Sequence, residues 1–315
     1  MIPAALFVLG KGGVGRSTVA AALGLGLAGT GSRVLVVQWT LRDAIAPWFG
    51  RPPTGYQAAE IAPGLSTMNF SSEAALEQYF VAHLGMRAVF RAVISNRHVR
   101  RATRAAPGFD ELMLLGLVMW LTTLARGELG WSYDHVIVDA PAMGHGASLL
   151  AMARTTAALG LGGLLATECA RVAALLADPR RSCAIVVTTP DELAVEETCE
   201  FWPQIADELG RPPLAAIVNR SAQSLGSLPA DPHGCGWFDT LDAPADPAAR
   251  AGLDRVYAHL ARRRGRERAL AESVAREAPL GAIAIDDALL VVDAPTPGGV
   301  VDLARGALRP LWGAP

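Results

Sequence analysis

Residues 10 to 18 read Gly10-Lys11-Gly12-Gly13-Val14-Gly15-Arg16-Ser17-Thr18. Glycines at Gly10, Gly12, Gly13 and Gly15 let successive backbone N–H groups, Val14 included, converge on phosphate oxygens at the positive end of the helix that follows. Ser17 carries the hydroxyl that such loops place on Mg²⁺, and Asp139 is an acidic group able to hold that metal's water shell. The segment Gly10 to Ser17 matches the phosphate-loop pattern with one substitution, Arg16 where lysine is usual. Arginine keeps the charge but is bulkier, planar and forked. Lys11 is the only lysine in the chain, so 27 of the 28 basic residues are arginine.

The loop needs a strand before it and a helix after it, and the sequence supplies both. Ala4–Leu9 is a short apolar run, and Thr18–Gly29 has the helical pattern. Further apolar runs at Arg33–Val37, His135–Val138, Cys183–Val187, Leu214–Val218 and Ala288–Val292 read as buried strands. Their two-sided hydrophobicity and the helical stretches between them predict an α/β fold, a doubly wound and mainly parallel sheet. An interval of about 95 residues separates the second and third strands, longer than a simple crossover. Within it Glu73–Phe90 and Phe109–Arg126 look helical, as does Ser148–Ala177 after the third strand. We expect one domain over 1–315, with a helical subdomain inserted at about 70–131 and continuing at about 148–178. Ala222–Ala249, rich in Pro, Gly, Asp and Ser, reads as a long surface loop.

Composition narrows the function classes. Half the residues are hydrophobic (51%) and 18% are charged, which suits a filled core. A net charge of -2 gives no general attraction to nucleic acid or anionic lipid. The arginine-rich stretch Arg262–Arg268 reads as a solvated helix face, so no nucleic-acid partner is expected. Cys169, Cys183, Cys199 and Cys235 are scattered, as in a reduced cytoplasmic protein, and His233 with Cys235 offers too few ligands for zinc. The longest apolar tract, Thr155–Thr167, falls short of the roughly 20 residues that span a bilayer. A soluble, cytoplasmic protein without stable membrane insertion is the expectation. Arginine in place of lysine, with abundant alanine, points to a GC-rich bacterial genome.

The segment GKGGVGRSTVAAALGLGLAGTGSRVLVV resembles the deviant Walker A region of the arsenical-pump ATPase family, which includes the ATPases that deliver tail-anchored membrane proteins. The likeness continues in Val138-Asp139-Ala140-Pro141-Ala142-Met143-Gly144-His145, similar to the family's switch II. It continues again in Val186–Thr198 and in Ile217-Val218-Asn219-Arg220. The resemblance implies a P-loop ATPase binding ATP and Mg²⁺, with Lys11, Asp139 and Gly144 in catalysis and Ser17 and Asp139 on the metal side. Gly10, Gly12, Gly13, Val14, Gly15, Arg16, Ser17 and Thr18 would hold the nucleotide's phosphates. Asn219 would read adenine with Arg220 beside it, and a late loop near Ala294–Gly298 would close over the base. His145 either hydrogen-bonds a phosphate or relays a conformational change, or is a structural loop histidine.

Departures from the family pattern matter equally. The switch I aspartate that positions water is replaced by Thr40, and Asp43, three residues on, is the nearest carboxylate. The arsenite-binding cysteines of the pumps and the zinc Cys-x-x-Cys of the eukaryotic targeting factors have no counterparts, which argues against a metalloid pump. The resemblance implies a nucleotide-gated dimer, homodimeric or paired with a related ATPase subunit, in which Lys11 acts in trans. Arg16 and Thr40 then predict impaired hydrolysis at the chain's own site. The helical stretch Leu112–Leu121 offers either core packing or a groove for a hydrophobic client helix. Two alternatives stand beside this reading. One is a non-hydrolysing regulatory or assembly subunit. The other is a partitioning or positioning ATPase, against which Asp302–Pro315 reads as a poor membrane helix.

Overall fold

The computed structural model describes residues 2–84, 108–123, 133–141, 149–152, 163–221, 247–276, 278, 282–286, 308 and 311. Strands are β1 (Ala5–Gly10), β2 (Val34–Gln38), β3 (Ala59–Ala62), β4 (Leu65–Asn69), β5 (His135–Asp139), β6 (Ser182–Thr188), β7 (Ala215–Ser221) and β8 (Ala282–Asp286). Helices are α1 (Arg16–Ala28), α2 (Ser72–Leu84), α3 (Phe109–Thr123), α4 (Gly163–Ala177), α5 (Glu192–Leu209) and α6 (Pro247–Ala275).

The strands form one sheet in the order β3-β4-β2-β5-β1-β6-β7-β8. All neighbours are parallel except the edge hairpin β3–β4. Central strands are buried from end to end, because helices cover both faces. Alternate residues of β1 divide between two cores: Leu6 and Val8 meet α1, while Phe7 and Leu9 join the cluster that includes α3, α4, α5 and α6. Leu114, Leu115 and Val118 of α3 belong to that second cluster together with sheet residues Val37 and Val138. On the other face α1 lies close to the sheet at Gly24, where an added Cβ would stand 2.7 Å from Leu65 Cδ1.

The hairpin β3–β4 and strand β8 are additions to the sequence expectation. Glu60 is exposed and Thr67 and Asn69 are polar, so the hairpin lacks the apolar run that marks β1 or β6. Thr67 is nonetheless fully buried, satisfied by the Gln38 amide at 2.8 Å and the Val36 carbonyl at 3.2 Å. In β8 small alanines alternate with isoleucine. The expected strand Ala288–Val292 lies outside the described residues, as do the central part of Ser148–Ala177, the far end of Glu73–Phe90 and nearly all of the loop Ala222–Ala249.

Candidate functional site

β1 delivers the chain to Gly10 in the middle of the sheet, and α1 begins at Arg16. Gly15, the residue before α1, has φ 94° and ψ 26°, a left-handed conformation that a side chain would strain. A Cβ there would also collide with the amide of Asn219. No side chain caps the start of α1, and no acidic residue lies in its first turn. Its leading N–H groups are therefore left for a ligand, and the helix dipole makes that ligand an anion.

Three strand ends close around this loop. From β5, Asp139 Oδ2 accepts a hydrogen bond from Ser17 Oγ at 2.6 Å. Asp139 is 3% exposed. Burial pushes its carboxyl above the usual range, partly offset by Ser17 and by the Arg16 charge. The site thus adjoins one hydroxyl and one carboxylate, hard oxygen donors that fit Mg²⁺ held mainly by phosphate and water. Arg16 turns its guanidinium to the backbone carbonyl of Ala140, just past Asp139. Burial lowers the Arg16 pKa, with Asp139 opposing that effect.

From β7, Asn219 is 2% exposed and donates its side-chain N–H to the Val14 carbonyl at 2.7 Å. Its Oδ1 accepts from the backbone N–H of Arg220 at 3.0 Å. Asn219 thereby ties β7 to the phosphate loop across 205 residues of sequence. Arg220 is exposed and holds φ 55°, the one positive value among the described non-glycine residues. From the β6 side, Lys11 Nζ lies 3.2 Å from Glu197 Oε1 on α5, both side chains part-exposed. Glu197 was visible only as a member of a motif; nothing local marks it as the partner of Lys11. Gly12 and Gly13 are exposed at the tip of the loop, with open space where a Cβ would stand.

The loop after β2 carries no free carboxylate in reach of a water. Thr40 is exposed, and its hydroxyl donates to the Arg42 carbonyl at 2.7 Å. Asp43 is 5% exposed and accepts from Gln38 Nε2, the Ile45 and Ala46 N–H groups, and both the N–H and hydroxyl of Thr54. These bonds hold the carboxyl below its ordinary range although burial pushes the other way. Asp43 is committed to folding its own loop. Gly144, His145, Ala294–Gly298, His233 and Cys235 lie outside the described residues. Cys169 and Cys183 are buried, as small apolar residues would be.

On the α3 side, Leu114, Leu115, Leu117, Val118, Met119 and Leu121 are buried. Met113, Gly116, Leu117 and Trp120 line a small apolar cavity of about 50 Å³ with Ala75, Gln78 and Tyr79 of α2. No helix among the described residues is long and apolar enough to cross a membrane.

With this geometry in view, the sequence pattern of the anion-transporting ATPase family matches residues 4–161, half of the chain. The chain belongs to that family. It is 33% identical over 220 residues to ATPase BagA of Mycobacterium tuberculosis, covering 68% of this chain and 64% of that protein. It is 26% identical over 293 residues to an arsenical pump-driving ATPase of Escherichia coli, covering 81% of this chain and 49% of that one. The chain thus spans under two thirds of the first relative and about half of the second. For this family member the matched region holds the phosphate loop, Asp139 and the loop after β2, and Glu197 and Asn219 lie beyond it.

Proposed function

We propose that this chain binds ATP with Mg²⁺ at the loop Gly10–Thr18 and works as one half of a nucleotide-gated dimer, with slow hydrolysis at its own site. The single observation that carries the reading is the Ser17–Asp139 pair at 2.6 Å beside an uncapped helix start. A bound Mg²⁺ would supply positive charge to the outer phosphates. The chain's own groups do the rest: loop N–H groups orient the phosphates, Ser17 and Asp139 hold the metal side, and Asn219 keeps the loop in shape.

Slow turnover follows from three side chains. The Arg16 guanidinium is bonded to Ala140, and Thr40 is no base. The Asp43 carboxylate is filled by its own loop. Asp139 is the carboxylate hydrogen-bonded to the loop itself, through Ser17. The Lys11–Glu197 pair must open before Lys11 reaches a partner's nucleotide, so dimerisation exchanges one ion pair for another. The partner is a second copy or a related ATPase subunit, and the α2–α3 cavity is the surface offered to a hydrophobic client helix. The wider frame is one P-loop domain over 1–315 in a soluble, cytoplasmic protein, its helical subdomain at about 70–131 and 148–178.

The test combines nucleotide calorimetry with phosphate release by the chain alone and with a co-purified partner. We expect Mg²⁺-dependent ATP binding, turnover slower than in relatives with lysine at position 16, and loss of partner-stimulated turnover in Lys11→Ala. Rapid hydrolysis by the isolated monomer overturns the slow-site reading, and absence of nucleotide binding overturns the whole of it. Measurable affinity with no turnover under any condition selects a regulatory or assembly subunit instead.

A further inference from the structure

The loop that leaves the carboxyl end of β2 finishes against α2, and three successive residues fasten it on the way. Thr54 gives its N–H and its hydroxyl to Asp43 Oδ2 at 2.8 and 2.6 Å, so the loop is closed on one carboxylate. The Gly55 carbonyl accepts from the N–H of Asn69, at the end of β4, at 2.7 Å. The Asn69 side chain in turn bonds Thr40, accepting from its N–H at 3.3 Å and donating to its carbonyl at 3.0 Å. Tyr56 then donates its hydroxyl to Gln78 Oε1 on α2. Pro52 and Pro53 fix the backbone just before Thr54, which leaves that stretch little freedom to absorb a displacement.

The Tyr56 ring packs against the core that holds Phe70, Ala75 and Leu117, and burial raises its phenol pKa, so the hydroxyl stays a donor at neutral pH. Its acceptor has a second role. Gln78 is the one amide in the lining of the α2–α3 cavity, which it shares with Met113, Leu117 and Trp120 of α3. The bond thus reaches the wall of an apolar cavity from a loop residue 22 positions earlier in the chain. Breaking it leaves a phenol and an amide oxygen, both part-buried, without each other. An unpaired buried polar group is costly, so loop and helix are favoured to move together.

We infer that the Tyr56–Gln78 bond makes the loop Thr40–Tyr56 and the α2–α3 cavity one linked unit, in which filling the cavity loosens the loop and loosening the loop frees α2. The coupling is reciprocal, because a bond shared by two elements biases both. Whatever sets the conformation of Thr40–Asp43 then reaches α2 through Tyr56. For a nucleotide at Gly10–Thr18 that consequence rests on ATP binding there. The linkage itself is measured without nucleotide, so the two stand or fall separately.

The test is hydrogen exchange of the full chain without nucleotide, read by mass spectrometry on peptides covering 43–56 and 72–84. A peptide from β6 reports global opening and is used to correct both. Gly116→Leu fills the cavity: a Cβ at Gly116 meets open space, and leucine suits a helix better than glycine does. It should speed exchange of the Asp43-bonded amides of Ile45, Ala46 and Thr54 by about fivefold or more. In the Tyr56→Phe background the same substitution should change them by less than about twofold. The reverse arm uses Asp43→Asn, which should speed exchange in α2 about threefold with Tyr56 present and leave it flat once Tyr56→Phe is added. Thermal melts confirm folding, and the reverse arm decides if Gly116→Leu does not fold. The inference is overturned if neither substitution changes exchange in the other element. It is also overturned if the effects are equal with and without Tyr56→Phe, which would make Tyr56–Gln78 a structural tether alone.

Discussion

Substituting Asp43 removes the acceptor around which the loop after β2 folds. Gln38 Nε2 and the N–H groups of Ile45 and Ala46 bond its Oδ1 at 2.5, 2.8 and 3.1 Å, and the Thr54 N–H and hydroxyl bond its Oδ2 at 2.8 and 2.6 Å. Each such bond to a charged acceptor contributes about 1.5–3 kcal/mol, but the losses do not add. Gln38 keeps its bond to Thr67 at 2.8 Å, and Thr54 is near enough to solvent to recruit water. We therefore expect Asp43→Ala to cost about 3–5 kcal/mol and to lower Tm by roughly 10 °C. Asp43→Asn keeps an oxygen for the Oδ1 bonds but turns an amide toward the Thr54 donors, for a loss of about 1–3 kcal/mol. The loop bonds hold the Asp43 carboxyl below its ordinary value near 3.8, against the effect of burial. Its stabilisation is fully present above that unfolded value and disappears as pH falls through the lower folded one, so acid should narrow the gap between wild type and Asp43→Asn. Thermal melts from pH 3 to 7, with ATP turnover measured well below each Tm, check both parts. An Asp43→Asn protein with wild-type Tm and turnover reduced about 100-fold would refute the reasoning, because it would place the carboxylate on the reacting water.

Two further outcomes follow from the site's chemistry. Ser17→Ala should weaken Mg²⁺-dependent nucleotide binding about tenfold and leave binding in chelator unchanged. Because burial raises the Asp139 pKa, protons should compete with the metal, so that Mg²⁺-dependent ADP affinity falls as acid is added more steeply than affinity in chelator does. Cys183, whose thiol is pushed up to about 12 by burial, should resist a maleimide that labels exposed Cys199, at rates about 100-fold apart by peptide mapping. Equal labelling would remove Cys183 from the buried β6.

The parts legible in the sequence are those whose signal is local or repeated. β1, β2, β5, β6 and β7 could be read because strands covered on both faces carry a continuous apolar run, as in Val34–Val37, Val136–Val138, Ala184–Val187 and Ala215–Val218, with polar residues confined to their ends. α1 could be read because a glycine loop and an alanine-rich run adjoin. β3 and β4 escaped notice because an edge hairpin tolerates Glu60 and Asn69, and because Thr67 is satisfied by side chains from β2. β8 escaped because its alternate positions are alanine. In the site, Ser17 and Asp139, both read from the sequence as groups on the metal side, lie 2.6 Å apart, whereas the contacts of Arg16, Lys11 and Asn219 had no sequence signal.

By itself the sequence determined the chemistry of the loop at Gly10–Thr18 and, through its ordered motifs, the family. Glycine conformations and a helix start are local properties, set by a handful of neighbouring residues. Only the tertiary structure decided where the polar side chains go. The sheet order brings β5, β6 and β7 beside or near β1, and it is this crossing of distant strands that sets Arg16 on Ala140, Lys11 on Glu197 and Asn219 on Val14. The lone lysine was conspicuous as a residue. Its ion pair with α5 was a consequence of the fold.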